Sequence, residues 1–191
     1  MSAERFVTAQ ARVALLPADV QARPTRAEPY RVAMAPVMIE RPAWDLAREG
    51  QALLAQDKDR EAEAKLAEAG HLAPKEGVIR TLHAVSLASL KQKAAAVEEA
   101  RAGARMSGGV FVSRLVAGEL LLEPDPAAAL DTLEGAEKLL PGQARVSLLR
   151  GREVERLGRK SDEASAYKEA TDRNPNGEVG AEAARRAKNL G

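Results

Sequence analysis

Four sets of residues in this chain recur at a nearly constant step. They are Ala62, Leu66, Ala69 and Pro74; then Ala96, Ala100, Gly103 and Gly108; then Ala129, Leu133, Ala136 and Pro141; and last Tyr167, Ala170 and Pro175. The closing residues fall at intervals of 34, 33 and 34. Upstream of each set stands a small residue with a larger apolar one three places on: Gly50 and Leu53, Ala84 and Leu87, Ala117 and Leu120, Gly151 and Val154. Apolar residues recur at helical spacing within each period. Breakers or polar residues divide it in two, as in Asp57-Lys58-Asp59, Glu123-Pro124-Asp125-Pro126 and Gly158-Arg159-Lys160-Ser161. Each period therefore reads as two helices and a turn, and the chain as a stack of one repeated unit. The small residues fall where paired helices cross, because only a small side chain lets the backbones approach closely enough for ridges to enter grooves. Pro74, Pro141 and Pro175 stop the second helix of each pair.

This period and pattern resembles the tetratricopeptide repeat family over residues 43–175. The resemblance implies an all-α, right-handed solenoid of about four helical pairs, 43–76, 77–109, 110–143 and 144–176, followed by a capping helix within 177–191. Helices are expected at 43–56 and 59–72, 77–91 and 93–106, 110–122 and 126–139, and 143–157 and 160–173. Pro126 suits a first helical turn, and Ser161 with Asp162 and Glu163 suits a helix N-terminus. Two departures stand out. The second repeat has Ala100, Gly103 and Gly108 where a bulkier residue, Ala and Pro are usual, and the fourth has Ala164 only three residues before Tyr167.

Residues 1–42 read as an N-terminal helix over 2–16, with Phe6, Val7, Ala11, Val13, Ala14 and Leu15 on its apolar side, and then a connector. Pro17, Pro24, Pro29, Pro36 and Pro42 argue against a long helix there.

Composition removes several classes of function. Apolar residues make up 45% of the chain and charged residues 30%, a folded rather than a disordered balance. A net charge of +1 and 3% aromatics leave neither the basic field nor the stacking surfaces that nucleic acid requires. No apolar run reaches the ~20 residues of a membrane span. With no cysteine there is no disulfide or thiolate metal site. His71 and His83 stand 12 residues apart on different expected helices, which does not fit a His-Glu-x-x-His zinc site. No Gly-x-Ser-x-Gly and no phosphate loop occurs, and Asp and Glu alternate with Lys and Arg as surface pairs such as Glu61 and Lys65. The expectation is a non-enzymatic chain without cofactor. The N-terminal residues are not a secretory signal. The protein is thus read as cytoplasmic if Met1 is its native start, or periplasmic if it is trimmed from a longer exported chain.

In the tetratricopeptide family the first helix of each pair lines a concave groove that binds protein segments. The resemblance carries groove positions onto Trp44, Ala47, Gln51, Val78, Thr81, Val85, Phe111, Arg114, Gly118, Arg145, Leu148, Arg152 and Arg156. The N-terminal part is apolar, with Trp44 and Phe111. The C-terminal part is basic, with Arg114, Arg145, Arg152 and Arg156, and arginine pairs bidentately with carboxylates. A protein or peptide partner with an extended, partly acidic segment fits such a groove. Two alternatives stay open: Trp44 and Phe111 fill gaps in an Ala-rich core, or the arginines form a solvated face balanced by Glu153, Glu155 and Asp162. The Lys-and-Asn clamp of chaperone-tail binders is absent, since Ala47 and Gln51 hold those places.

The layout is also similar to the C-terminal part of BepA-like zinc metalloproteases, in Glu4-Arg5, Leu15-Leu16-Pro17, Tyr30, Pro42-Ala43, Leu72-Ala73-Pro74-Lys75-Glu76 and Leu139-Leu140-Pro141. That resemblance implies a substrate-binding arm without the catalytic motif, engaging cell-envelope machinery. A scaffold subunit of a larger assembly is the third reading.

Overall fold

The computed structural model describes residues 3–22, 27–158 and 160–189. Among these residues every regular element is a helix: α1 (Ala3–Ala14), α2 (Ala18–Gln21), α3 (Ala27–Leu54), α4 (Asp59–Leu72), α5 (Gly77–Ser89), α6 (Lys93–Met106), α7 (Phe111–Leu121), α8 (Pro126–Leu139), α9 (Ala144–Arg156), α10 (Lys160–Arg173) and α11 (Glu178–Lys188). The chain divides into two compact units, Met1–Ile39 and Glu40–Gly191.

The second unit is an all-α solenoid. Its pairs are the C-terminal part of α3 with α4, then α5 with α6, α7 with α8, and α9 with α10, and α11 packs on α9 and α10. The recurring residues meet as the period requires. Ala62, Leu66 and Ala69, with their counterparts Ala96 and Ala100, then Ala129, Leu133 and Ala136, then Tyr167 and Ala170, are all buried. A Cβ on Gly50 would lie 2.6 Å from Leu66 Cγ, and one on Gly151 would lie 2.5 Å from Tyr167 Cε1. At both crossings glycine is the residue that lets a large side chain of the second helix rest against the first helix's backbone.

The third repeat corrects the register read from sequence. Its crossing residue is Gly118, not Ala117: a Cβ on Gly118 would lie 2.6 Å from Leu133 Cδ2. Ala117 instead packs with Ala84 and Ala100 of the preceding repeat. The single-residue shortening therefore falls after Gly118, in the α7–α8 turn. The turns of repeats one, two and four each carry a left-handed residue seven places past the crossing residue: Asp57 (φ 56°), Lys91 (φ 61°) and Gly158 (φ 69°). Asp125 holds that place in repeat three, with φ −155°. Its Oδ1 accepts the Ala128 N–H at 3.2 Å, so a side-chain cap with Pro126 in the first turn replaces the left-handed turn.

Repeat four needs a second correction. Glu163, four residues before Tyr167, holds the buried place that Ala62, Ala96 and Ala129 occupy elsewhere, while Ala164 is exposed. The Ser161 side chain lies outside the described residues.

The expectation of an irregular Pro-rich connector is also corrected. Helix α3 begins at Ala27 and contains Pro29, Pro36 and Pro42. Pro29 stands in the first turn, where its missing N–H costs nothing. Pro36 and Pro42 cannot donate to the carbonyls of Val32 and Met38, and both of those residues are exposed, where solvent is within reach of what the helix leaves unbonded.

Candidate protein-binding face

The corrected register decides which residues share a face. Counting from the crossing residues Gly50, Ala84, Gly118 and Gly151, three rows run across the first helices. The row six places earlier is Trp44, Val78, Val112 and Arg145. The row one place later is Gln51, Val85, Glu119 and Arg152. The row three places earlier is Ala47, Thr81, Leu115 and Leu148.

The last of these rows is not surface. Ala47 and Leu148 are core residues, and Leu115 packs against the third-repeat cluster. Thr81 is 1% exposed, its hydroxyl 2.9 Å from Gly77 O and 2.9 Å from Ser113 Oγ, and Ser107 Oγ lies 2.8 Å from Ser113 Oγ. Thr81 thus ties α5 to α7 and offers no side-chain surface to a ligand. The expectation that it lines a groove is corrected.

Phe111 and Arg114 are corrected by the register. One residue along a helix is a rotation of ~100°. Phe111 packs partly buried against the core cluster of Leu121, Leu133 and Ala136, and Val112 takes the outward place, exposed. Arg114 reaches across α8: its Nε donates to Gly108 O at 2.8 Å, and a Cβ on Gly135 would lie 2.3 Å from its Nη1. Gly135 leaves room for that guanidinium. Arg114 is therefore separate from the α9 arginines. Trp44 packs partly buried against the first-repeat cluster of Ala43, Ala47, Leu66 and Ala69, so part of its ring fills core. Gln51 is exposed and Val85 half-buried.

At the C-terminal end the face is charged, and the sequence reading missed its acidic half. Arg145 donates to both carboxylate oxygens of Glu119, at 2.6 and 2.8 Å. That hydrogen bond strengthens the arginine's hold on its proton. Arg156 stands 3.8 Å from Glu123, which also accepts from Lys93 Nζ at 2.8 Å. The Lys93 hydrogen bond and charge hold the Glu123 carboxyl below its usual range, and Arg156 and Arg152 reinforce this. Arg152 is half-buried and makes no hydrogen bond or ion pair among the described residues, although its charge acts on Glu123. The signal was the 33-residue interval: once the shortening is assigned to the turn, Glu119 falls in the outward row with Arg152, and Glu123 takes the place in repeat three that Arg156 holds in repeat four.

Glu153 is also on α9, next to Arg152 but facing inward. It is 0% exposed, and neither carboxylate oxygen has a hydrogen-bond partner. Burial pushes its pKa up to about 7; Arg156 opposes the shift and Asp125 adds to it. It faces no ligand position, and its consequence is for stability.

The histidines do not converge. His71 is exposed, and His83 Nε2 lies 3.4 Å from Glu63 Oε1. No group of three or more potential metal ligands occurs among the described residues, and no described helix is long and apolar enough to cross a membrane.

No family model and no curated protein matches this sequence. Solved structures do match its fold. YrrB, described as a tetratricopeptide protein with an unusual peptide-binding site, aligns at 16% identity over 71% of this chain and 71% of its own, with a TM-score of 0.63. MamA 41-end from Desulfovibrio magneticus RS-1 aligns at 19% identity over 78% of this chain and 93% of its own, with a TM-score of 0.64. TTC0263, a thermophilic tetratricopeptide protein of Thermus thermophilus, aligns at 18% identity over 78% of this chain and 85% of its own, with a TM-score of 0.63. Nothing in these likenesses supports the resemblance to BepA-like metalloproteases. Identities this low show the fold alone, and together with the packed repeats they establish that the chain contains an all-α solenoid of the tetratricopeptide-repeat fold.

Proposed function

We propose that this chain is a non-enzymatic interaction module that holds an extended, partly acidic segment of a protein partner across its first helices. The observation that carries the reading is Arg152. It stands outward on α9 with its guanidinium unpaired, while neighbouring Arg145 and Arg156 face Glu119 and Glu123. A partner carboxylate has a vacant fork at Arg152 and flanking positive charge at Arg156. Val85 and Val112 continue the face toward Gln51 and Trp44 with apolar surface. The peptide-binding description of YrrB, a protein of the same fold, agrees with this use. A photo-crosslinking residue placed at Val112 should trap a protein from extract of the source cells. The same residue at exposed Leu72 on α4 should not. Equal trapping at both positions would overturn the reading.

One observation favours a scaffold role as a second reading. No described side chain of Met1–Ile39 is buried, and Leu15, Tyr30, Val32, Val37, Met38 and Ile39 are exposed, Ile39 at 79%. A unit with this much open apolar surface is suited to being covered within an assembly. Light scattering across a concentration series tests it: a mass fixed at 20.4 kDa, in cells as well as in solution, removes it.

A further inference from the structure

Beside the charged end of the face lies a cleft of about 750 Å³, bordered by Glu119 and Arg152 of the outward rows. Its apolar walls come from the end of α5, from α6, and from the end of α7 with the turn after it: Ala88, Ala94, Val97, Leu120, Leu122 and Pro124. That lining is mainly apolar and the size is that of a ligand pocket. The charges around it are mostly matched within the protein. Lys93 is held by Glu123, Arg101 Nη2 donates to Asp125 at 2.8 Å, and Glu119 is held by Arg145. Two remain: Arg152 on one side, and exposed Glu98 on the α6 side.

We infer that this cleft is the specificity pocket of the module, taking bulky apolar side chains of a partner segment whose adjacent carboxylate seats on Arg152. The inference rests on the peptide-binding reading above and adds the chemistry of the peptide. The apolar walls exclude a purely acidic ligand, because burying an unpaired carboxylate there is costly. The unpaired arginine selects one acidic residue beside the apolar pair. Glu98 disfavours a second acidic residue on the far side. The segment recognised is thus acidic, then apolar, then neutral or basic.

The probe is the capped peptide Gly-Ser-Asp-Leu-Leu-Ser-Gly, titrated into the methyl-labelled full chain and followed by NMR. The expected result is a shift of the Val97, Leu120 and Leu122 methyls. Replacing both leucines of the peptide by serine should abolish it. Arg152→Gln should weaken binding by about tenfold, the size of one lost charge-assisted contact. Ala94→Trp should fill the cleft and block the peptide while the melting temperature stays near the parent's, since Ala94 is exposed. Shifts confined to Val78, Val85 and Val112 would overturn the pocket and leave the peptide-binding face standing. No shift anywhere at millimolar peptide would overturn the pocket; trapping at Val112 then decides the face separately. Equal binding by the leucine and serine peptides would also overturn the pocket.

Discussion

Replacing Glu153 with glutamine should stabilise this protein above neutral pH and leave it nearly unchanged in acid. The carboxyl is wholly buried on α9 and its oxygens have no hydrogen-bond partner, so ionising it costs solvation that nothing nearby restores. Its pKa is about 7 in the fold, against an ordinary 4.5. Below 4.5 both the folded and the unfolded chain carry the proton, and the group has no pH-linked effect. Between 4.5 and 7 the unfolded chain releases a proton that the folded chain keeps, so stability falls as pH rises. Above 7 the penalty is complete, and the two pKa values convert to about 3 kcal/mol. Glu153→Gln keeps the shape and cannot ionise. Urea titrations at pH 5, 6, 7 and 8 should show the parent losing stability across this range, with the loss concentrated between 5 and 7. Between pH 5 and 8 the variant should lose about 2.5 kcal/mol less. Arg156 attracts the ionised form, so Arg156→Ala should steepen the parent's loss. Parallel pH profiles for parent and Glu153→Gln would refute the assignment of the penalty to this carboxyl.

Three further outcomes follow from packing. Gly118→Val drives a branched side chain into Leu133 and should cost about 1–3 kcal/mol in thermal or urea melts; a neutral result would mean that Ala117 is the crossing residue after all. Trp44→Ala should lower stability by about 2–3 kcal/mol, less than the 3–5 of a fully buried ring, because the indole packs on the first-repeat core with one side open; a wholly neutral melt would show that the ring fills no core. Thr81→Val keeps the volume but removes the hydroxyl beside Ser113, and should cost about 1–2 kcal/mol by the same melts.

The fold was legible because its period is carried by residues with a steric task. Gly50 and Gly151 are small where a second helix crosses, and Leu66 and Tyr167 are large where they fill the space opposite. Such residues mark a register to within one position and no better. In repeat three both Ala117 and Gly118 are small enough, and only the contact with Leu133 chooses between them. That one-residue ambiguity displaced the expected face: Phe111 and Arg114 for Val112 and Leu115, and Gly118 for Glu119. The basic end was legible as arginines, but their carboxylate partners come from another repeat, at a separation no local pattern reveals. Glu153 lay in a run of charges, Arg152-Glu153-Val154-Glu155-Arg156, whose alternation reads as a solvated face. Helical geometry turns Glu153 inward beside buried Val154. The proline rule misread α3 because it weighs the lost N–H and the ring clash, while the unbonded carbonyls there sit at exposed residues within reach of solvent.

The central claim is that the outward face of the first helices holds a protein segment through Arg152. Parallel captures from extract of the source cells, with the parent chain and with Arg152→Glu, test it most directly when quantified by mass spectrometry. The substitution is on a half-exposed side chain that makes no hydrogen bond or ion pair; with Glu119 and Glu123 nearby it should cost no more than about 1 kcal/mol of folding stability, and melts serve as the folding control. The expected result is at least one protein enriched by the parent and depleted by Arg152→Glu, with the difference shrinking as salt is raised. Identical recoveries by two equally folded proteins at low salt would contradict the claim.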